Sequence, residues 1–194
     1  MPKIEVHITC QQMTTDEIGA FESFCQSVDA KPIVILLPKG EHTQQPMISK
    51  IINCDSKEAL AKKTRQLKNQ FDTNGYEIVR VKMEVAPWDR DKAEHLFETG
   101  PDNYYEWHGR VQLEKEETIR AIVKQLGGHL SRNALKRDPK AKLITIREYG
   151  SEEMIKSRIH HLKTGLQQHG IEFAKEELEY CVYDSNVNLD KGWI

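Results

Sequence analysis

Two stretches of the chain place a glutamate and a histidine two residues apart within a strand-like pattern. Glu5 precedes His7 in the first stretch, and Glu106 precedes His108 in the second. Because side chains alternate between the two faces of a β-strand, each glutamate shares a face with its histidine. A carboxylate beside an imidazole can raise its pKa or fix its tautomer, so the imidazole can act as a general acid or base. We therefore predict catalytic roles for Glu5, His7, Glu106 and His108.

The same four side chains also suit a divalent metal ion as a cofactor. Imidazole nitrogen and carboxylate oxygen are both common ligands of divalent transition metals. The sequence leaves two chemical roles open for His7 and His108, as acid/base groups or as metal ligands. A third interpretation involves no chemistry, because polar faces of antiparallel sheets commonly carry ion pairs between neighbouring strands.

Three arginines are predicted to face the same side as these histidines. Arg80 lies on the strand predicted from Glu77 to Val85, Arg110 follows His108 by two residues, and Arg147 lies near the end of another predicted strand. Guanidinium groups bind carboxylate and phosphate through paired hydrogen bonds. We predict that Arg80, Arg110 and Arg147 hold a small anionic substrate, and phosphorylated molecules belong to this class.

These residues follow a repeat that runs through the chain. The two Glu-x-His stretches lie 101 residues apart, and residues 47–89 correspond without a gap to residues 142–184 at an offset of 95. Hydrophobic periodicity predicts strand, helix, two strands, helix and strand in each half. That order is typical of the ferredoxin-like arrangement, with both helices on one face. The predicted fold is α+β, an internal duplication of two ferredoxin-like (βαββαβ) repeats packed into one compact unit.

The repeat divides the chain into four predicted segments. Repeat 1 covers 1–89, a linker covers 90–103, repeat 2 covers 104–184, and a C-terminal tail covers 185–194. The linker is predicted to include a short helix through Ala93 to Phe97. The tail is rich in turn residues but ends in Trp193 and Ile194, so we expect it to fold back onto the body. The two polar sheet faces are expected to enclose a cleft.

Composition and charge exclude several classes of protein. The chain has 194 residues, a net charge of −2 and 38% hydrophobic residues, in the range of soluble globular proteins. No apolar run approaches the roughly 20 residues that a bilayer span needs, so no membrane partner is predicted. Four widely spaced cysteines do not form a disulfide framework. Because the strand pattern begins at the N-terminus without a signal peptide, we expect a reduced, cytoplasmic protein.

Nucleic acid is also excluded as a predicted partner. RNA-binding sheets of this kind place aromatic side chains on exposed central strands, whereas this chain places Glu5, His7, Glu106 and His108 there. The overall charge supplies no attraction for phosphate backbones. A basic hairpin from Arg132 to Lys142 is the one feature that favours such binding.

Three partial resemblances accompany this pattern. His7-Ile8-Thr9 resembles one H-x-T motif of the two-histidine phosphoesterases, but the matching strand reads His108-Gly109-Arg110 and lacks the second motif. Paired modules with His and Glu ligands resemble the vicinal-oxygen-chelate metalloenzymes, which lack the second helix predicted here. The charged strands resemble those of triphosphate-tunnel enzymes, without their N-terminal E-x-E-x-K. No residue role is therefore carried over from any of these families.

The function predicted from these patterns is coarse. We expect a small cytoplasmic enzyme or ligand-binding protein with a cleft lined by His, Glu and Arg between two sheet faces. It would act on or bind a small anionic molecule, with or without a metal ion. The alternative is a non-catalytic regulatory or assembly module in which the polar faces form an interface, since fold alone does not define function. The sequence is compatible with a homo-oligomer.

Overall fold

The computed structural model describes residues 1–97, 100, 102–112, 114–136 and 138–194. Within these residues, each half of the chain runs strand, helix, two strands, helix and strand, and a short helix connects the halves. The elements are β1 (Lys3–Cys10), α1 (Thr15–Ser27), β2 (Lys31–Leu36), β3 (Gln44–Asn53), α2 (Lys57–Thr73), β4 (Ile78–Val85), α3 (Arg90–Ala93), β5 (Tyr104–Gln112), α4 (Glu116–Gln125), β6 (His129–Asn133), β7 (Ala141–Glu148), α5 (Glu152–Gln167) and β8 (Lys175–Asp184).

The eight described strands form one closed antiparallel barrel. Their order is β1-β3-β2-β6-β7-β5-β8-β4, and β4 pairs again with β1. The mixed α and β fold predicted from the sequence is confirmed, and the element order recurs in both halves. An origin by duplication and the exact segment boundaries stay predictions. The two polar sheet faces do not face each other as separate layers, because the sheets join at both edges and their polar faces line one interior.

The two halves meet along two seams of different length. At the first seam, β2 pairs with β6 through only two residues of each strand, Ile35 with Asn133 and Leu36 with Arg132. At the second seam, β4 pairs with β8 from Lys82 to Val85, with a register shift after Met83. Exposed strand edges offer unpaired N–H and C=O groups. Joining both edges of each half leaves every described strand with two neighbours.

The hydrophobic core lies outside the barrel, between the sheet and the helices. In β1, the fully buried Ile4, Val6 and Ile8 belong to this core, and the alternate residues of the strand face the barrel interior. The core continues through the second half with Ile144 and Ile146. Because apolar residues must pack beneath the helices, the polar residues of each strand are directed into the barrel.

The long helices begin and end at residues that the sequence marks. Thr14 and Glu17 form a capping box at the start of α1. Gly75 and Gly170 follow the C-terminal ends of α2 and α5 with φ values of 76° and 71°. Glycine adopts this left-handed backbone without a steric penalty, so it is a favoured helix terminator.

The linker and the tail both contact the barrel. The short helix of the linker is Arg90–Ala93, slightly earlier than predicted, and a single 3₁₀ turn at Glu94–Leu96 follows it. The expected return of the tail is confirmed, because Asp190 and Trp193 are buried. The Trp193 indole donates a hydrogen bond to the carbonyl of Leu130 at 3.4 Å. Among the described helices, none has the length and apolarity needed to cross a bilayer.

Candidate functional site

The interior of the barrel contains a cavity of about 240 Å³ that inward-facing residues of all eight strands line. The tail also contributes Asp190 and Trp193 to its wall. Every residue predicted from the sequence to form a site lines this one cavity: Glu5, His7, Arg80, Glu106, His108, Arg110 and Arg147. The structure therefore brings together residues from both halves of the chain, and their roles stay predictions.

The first histidine lies between two carboxylates. His7 Nε2 is 3.1 Å from Glu84 Oε2 and 3.6 Å from Glu5 Oε1. Ser49 donates a hydrogen bond to Glu5 from the neighbouring strand β3. The second ring nitrogen, Nδ1, is buried and has no hydrogen-bond partner within the described residues. One side of this imidazole is thus held by carboxylates, and the other side is free.

The second histidine, His108, has a related environment, but both of its ring nitrogens have a partner. His108 Nε2 is 3.3 Å from Glu106 Oε2 and 3.8 Å from Glu179 Oε2. Its Nδ1 lies 3.0 Å from the hydroxyl of Thr145 on β7. Each histidine therefore lies near the glutamate two residues before it and near a glutamate on the last strand of its own half.

A lysine breaks the equivalence between these two histidine environments. Lys82 Nζ lies 2.7 Å from Glu106 Oε2 and 2.9 Å from Glu84 Oε1. Arg147 Nε donates a second hydrogen bond to Glu106, at 2.9 Å. Glu106 is thus paired with two cations, whereas neither oxygen of Glu84 has a partner in hydrogen-bond geometry in the described residues.

A carboxylate from the tail joins three strands at one end of the cavity. Asp190 accepts hydrogen bonds from Arg80 at 3.0 Å, from Arg147 at 2.7 Å and from Gln45 at 3.0 Å. Arg80 also donates to Asp184 at 2.9 Å. Since Asp190 is only 3% exposed and both arginines are buried, the tail closes this end of the barrel. In this arrangement Arg80 and Arg147 already have carboxylate partners.

The buried carboxyl groups differ strongly in pKa. Burial opposes ionisation of Glu106, but Lys82 and Arg147 outweigh it and hold its pKa well below the usual range. Lys82 and His7 likewise outweigh burial at Glu84 and lower its pKa to about 2. Burial, reinforced by the nearby Glu84, instead raises the pKa of Glu179 well above its usual value. The buried carboxyl groups of the cavity therefore differ in how readily they ionise.

Acidic groups exceed basic groups in the closed part of the cavity. Three cations lie there, namely Arg80, Lys82 and Arg147. The carboxyl groups in contact with them or with the two histidines are Glu5, Glu84, Glu106, Glu179, Asp184 and Asp190. Buried charge is costly unless it is compensated. Protons or a bound cation must therefore balance part of this negative charge.

The open end of the cavity has the opposite electrostatic character. Four basic residues line it, and none has a carboxylate within ion-pair distance among the residues described: Lys31, Arg110, Lys136 and Lys142. The acidic groups at this end are paired, since Glu177 lies 2.6 Å from Lys175 and Glu176 lies 2.7 Å from Lys163. The mouth of the cavity is therefore basic.

Sequence reasoning assigned no role to several residues of this site. Strand alternation directs Lys82, Glu84 and Glu179 to the inward face but indicates nothing more about them. The only signal for a shared role was that Glu84 and Glu179 correspond at the offset of 95. Asp190 carried no signal at all, because it lies in a tail without strand or helix periodicity.

Comparison with known proteins yields similarity at the level of overall shape. No family model matches the chain, and no curated protein matches its sequence. Among solved structures, the acetolactate synthase small subunit from Thermotoga maritima is 12% identical, with 92% of this chain and 93% of that chain covered and a TM-score of 0.34. The regulatory subunit of aspartate kinase from Thermus flavus is 8% identical, with 86% and 94% covered and a TM-score of 0.36.

A chlorite dismutase from Candidatus Nitrospira defluvii, in complex with imidazole, is also similar. It is 12% identical, with 97% of this chain and 92% of that chain covered and a TM-score of 0.31. With identities and TM-scores this low, none of these proteins indicates a function for the chain. Its class is defined by its own structure, a mixed α and β protein whose closed eight-stranded sheet encloses a charged cavity.

Proposed function

We propose that the chain binds a small anionic molecule in the barrel cavity and that its histidine–carboxylate groups transfer protons to or from that molecule. The observation that carries this proposal is the meeting of two Glu-x-His strands and a basic mouth around one cavity. The cavity measures about 240 Å³, just below the range of about 300 to 1,000 Å³ that is usual for small-molecule pockets. The ligand is therefore of the size of a small metabolite.

The basic mouth supports an anionic ligand. Charges of one sign around a concave opening raise the local concentration of oppositely charged molecules. Arg110 is exposed at this mouth and has no carboxylate partner in the described residues. Its guanidinium can bind a carboxylate or phosphate through two parallel hydrogen bonds. In this proposal Arg110 makes the first contact with the ligand. Arg80 and Arg147 bind Asp190 at the closed end of the cavity.

His108 is best placed to act as a general acid or base. The Thr145 hydroxyl lies 3.0 Å from Nδ1, and the Glu106 carboxylate lies 3.3 Å from Nε2. Together these two contacts fix the orientation of the imidazole. With Glu106 orienting the ring through Nε2, the proton is exchanged at Nδ1, where the ligand takes the place of the Thr145 hydroxyl. Glu106 serves as the orienting group, and His7 with Glu5 forms the second functional group.

Anion binding tests this proposal with inorganic phosphate and pyrophosphate as probes. Isothermal titration calorimetry of the wild-type chain should detect one bound anion. Arg110→Gln should weaken its affinity at least tenfold, because one charged contact with paired hydrogen bonds is lost. Lys140→Gln is the matched control, an exposed lysine of the nearby hairpin that does not line the cavity. Equal affinities of the two variants, or no anion binding by the wild type, would contradict the proposal.

A second candidate function is a regulatory or assembly module. The ion pairs that cross between halves favour it, since Lys82 binds Glu106 and Asp190 bridges Arg80 and Arg147. In that case His7→Ala and His108→Ala would lower the melting temperature and leave anion affinity unchanged. Substitution of binding residues instead tends to reduce binding while stability holds or rises.

A further inference from the structure

We infer that Glu5, His7 and Glu179 form a binding site for one divalent metal ion. The three residues lie on β1 and β8, so the site joins the two halves of the chain inside the barrel. This inference rests on the proposed function, because the ion would lie in the same cavity. It deepens that function by naming a second group inside the cavity that binds the anion.

The three side chains are close enough to share an ion. One potential ligand atom from each of them lies within 4.8 Å of the other two, and within the described residues no other such group of His, Cys, Asp and Glu occurs. Ligand atoms about 2.1 Å from a metal ion lie up to about 4.2 Å from each other. The Glu5 side chain is 25% exposed, so it has room for the small rotation that closes this difference.

The environment of His7 matches that of a metal-binding histidine. Such a histidine binds the metal through one ring nitrogen and donates the other N–H to a carboxylate or carbonyl group. With Nδ1 as the ligand atom, Nε2 faces the Glu84 carboxylate at 3.1 Å, and Glu5 lies 3.6 Å from the same nitrogen. The opposite nitrogen is buried without a hydrogen-bond partner in the described residues.

A bound cation is one way to balance the buried carboxylates around these residues. Glu84 is only 1% exposed, and its two oxygens lie 2.9 Å from Lys82 Nζ and 3.1 Å from His7 Nε2. The neighbouring Lys82 is shared with Glu106, so it does not neutralise the whole group. A divalent ion beside His7 would compensate the remaining carboxylates without any change of the backbone.

The ligand set indicates the kind of ion. One imidazole nitrogen with two carboxylate oxygens suits zinc, manganese, iron or cobalt ions. Three protein ligands leave a coordination position open for another molecule. An anion that enters through the basic mouth would otherwise meet an acidic interior. With the ion in place, its phosphate or carboxylate group can complete the coordination.

His108 lacks the features that make His7 a ligand. Its Nδ1 contacts the Thr145 hydroxyl, and its closest carboxylate, Glu106, is paired with Lys82 and Arg147. The two histidines therefore have different roles, with His7 as metal ligand and His108 as the acid/base group. This difference provides a comparison within one chain.

Calorimetric titration of the metal-stripped, full-length chain with manganese or zinc chloride alone tests the inference. The wild type should bind one ion per chain. Glu179→Gln and His7→Ala should each weaken this binding at least tenfold. Glu177→Gln is the matched control, since it removes a carboxylate two residues away on the same strand that is already paired with Lys175. Its affinity should stay within about twofold of the wild type.

Circular dichroism and thermal melting separate loss of the site from loss of the fold. Glu179→Gln removes one of several clustered carboxylates, so its melting temperature should equal or exceed that of the wild type. The inference is overturned if the wild type binds no ion at one-to-one stoichiometry, or if Glu177→Gln loses as much affinity as Glu179→Gln. Metal binding without phosphate binding would leave the inference standing and reject the proposed function. Phosphate binding without metal binding would reject the inference and leave the proposed function standing.

Discussion

The buried carboxylate of the tail offers the sharpest stability prediction. Asp190→Asn keeps the size of the side chain but removes the negative charge that Arg80 and Arg147 share at 3.0 and 2.7 Å. Removing one partner of a buried ion pair costs about 3 to 5 kcal/mol. Each arginine keeps another carboxylate, Asp184 or Glu106, so we expect the lower value, about 3 kcal/mol. For a chain of this length that loss corresponds to roughly 6 to 12 °C in melting temperature.

Urea denaturation followed by circular dichroism measures this loss directly. Glu41→Gln is the matched control, because Glu41 pairs with Lys191 of the same tail at 3.2 Å and both side chains are more than 60% exposed. An exposed pair of this kind contributes less than about 1 kcal/mol. A loss below about 1 kcal/mol for Asp190→Asn, or equal losses for both variants, would refute the view that the tail closes the barrel.

Three further predictions concern acid stability and backbone packing. Although burial opposes ionisation, hydrogen bonds from Arg80 hold the pKa of Asp184 below its ordinary value. This lowered pKa stabilises the folded state fully above the pKa of about 3.9 that the carboxyl has in the unfolded chain. The stabilisation is lost as the pH falls through the pKa of the folded state. Urea midpoints that stay constant from pH 5 to pH 2 would contradict this prediction. Gly109→Ala brings a Cβ against the rings of Trp107 and Phe173, so it should cost about 1 to 3 kcal/mol in urea denaturation. An unchanged midpoint would contradict this prediction. Gly19→Ala in α1 meets no atom within 4 Å and should instead raise stability by about 0.5 to 1 kcal/mol in the same assay.

The sequence predicted the inward face of the sheet because strand alternation is a local property. The apolar Ile4, Val6 and Ile8 must pack under the helices, so Glu5 and His7 must point the other way. The same reasoning placed all seven predicted site residues correctly on one cavity. The element order of each half followed from helix capping, glycine stops and hydrophobic period.

The closure of the barrel could not be predicted in this way. Pairing of β2 with β6 depends on two strands almost 100 residues apart, and only two residues of each take part. The position of Asp190 depends on the path of an irregular tail, for which no periodic pattern exists. The different environments of the two histidines depend on Lys82, whose partners lie on its own strand and on β5 of the other half. Such contacts follow from tertiary packing rather than from local sequence.

The central claim, that a small anion binds in the cavity beside both Glu-x-His strands, is tested most directly by NMR of the histidine side chains during a phosphate titration. His7 and His108 line the cavity, whereas His160 and His161 are exposed on α5. The account predicts that the imidazole signals of His7 and His108 shift together with a single affinity while those of His160 and His161 stay in place. Unmoved signals at His7 and His108 up to millimolar phosphate, or equal shifts at all four histidines, would contradict it.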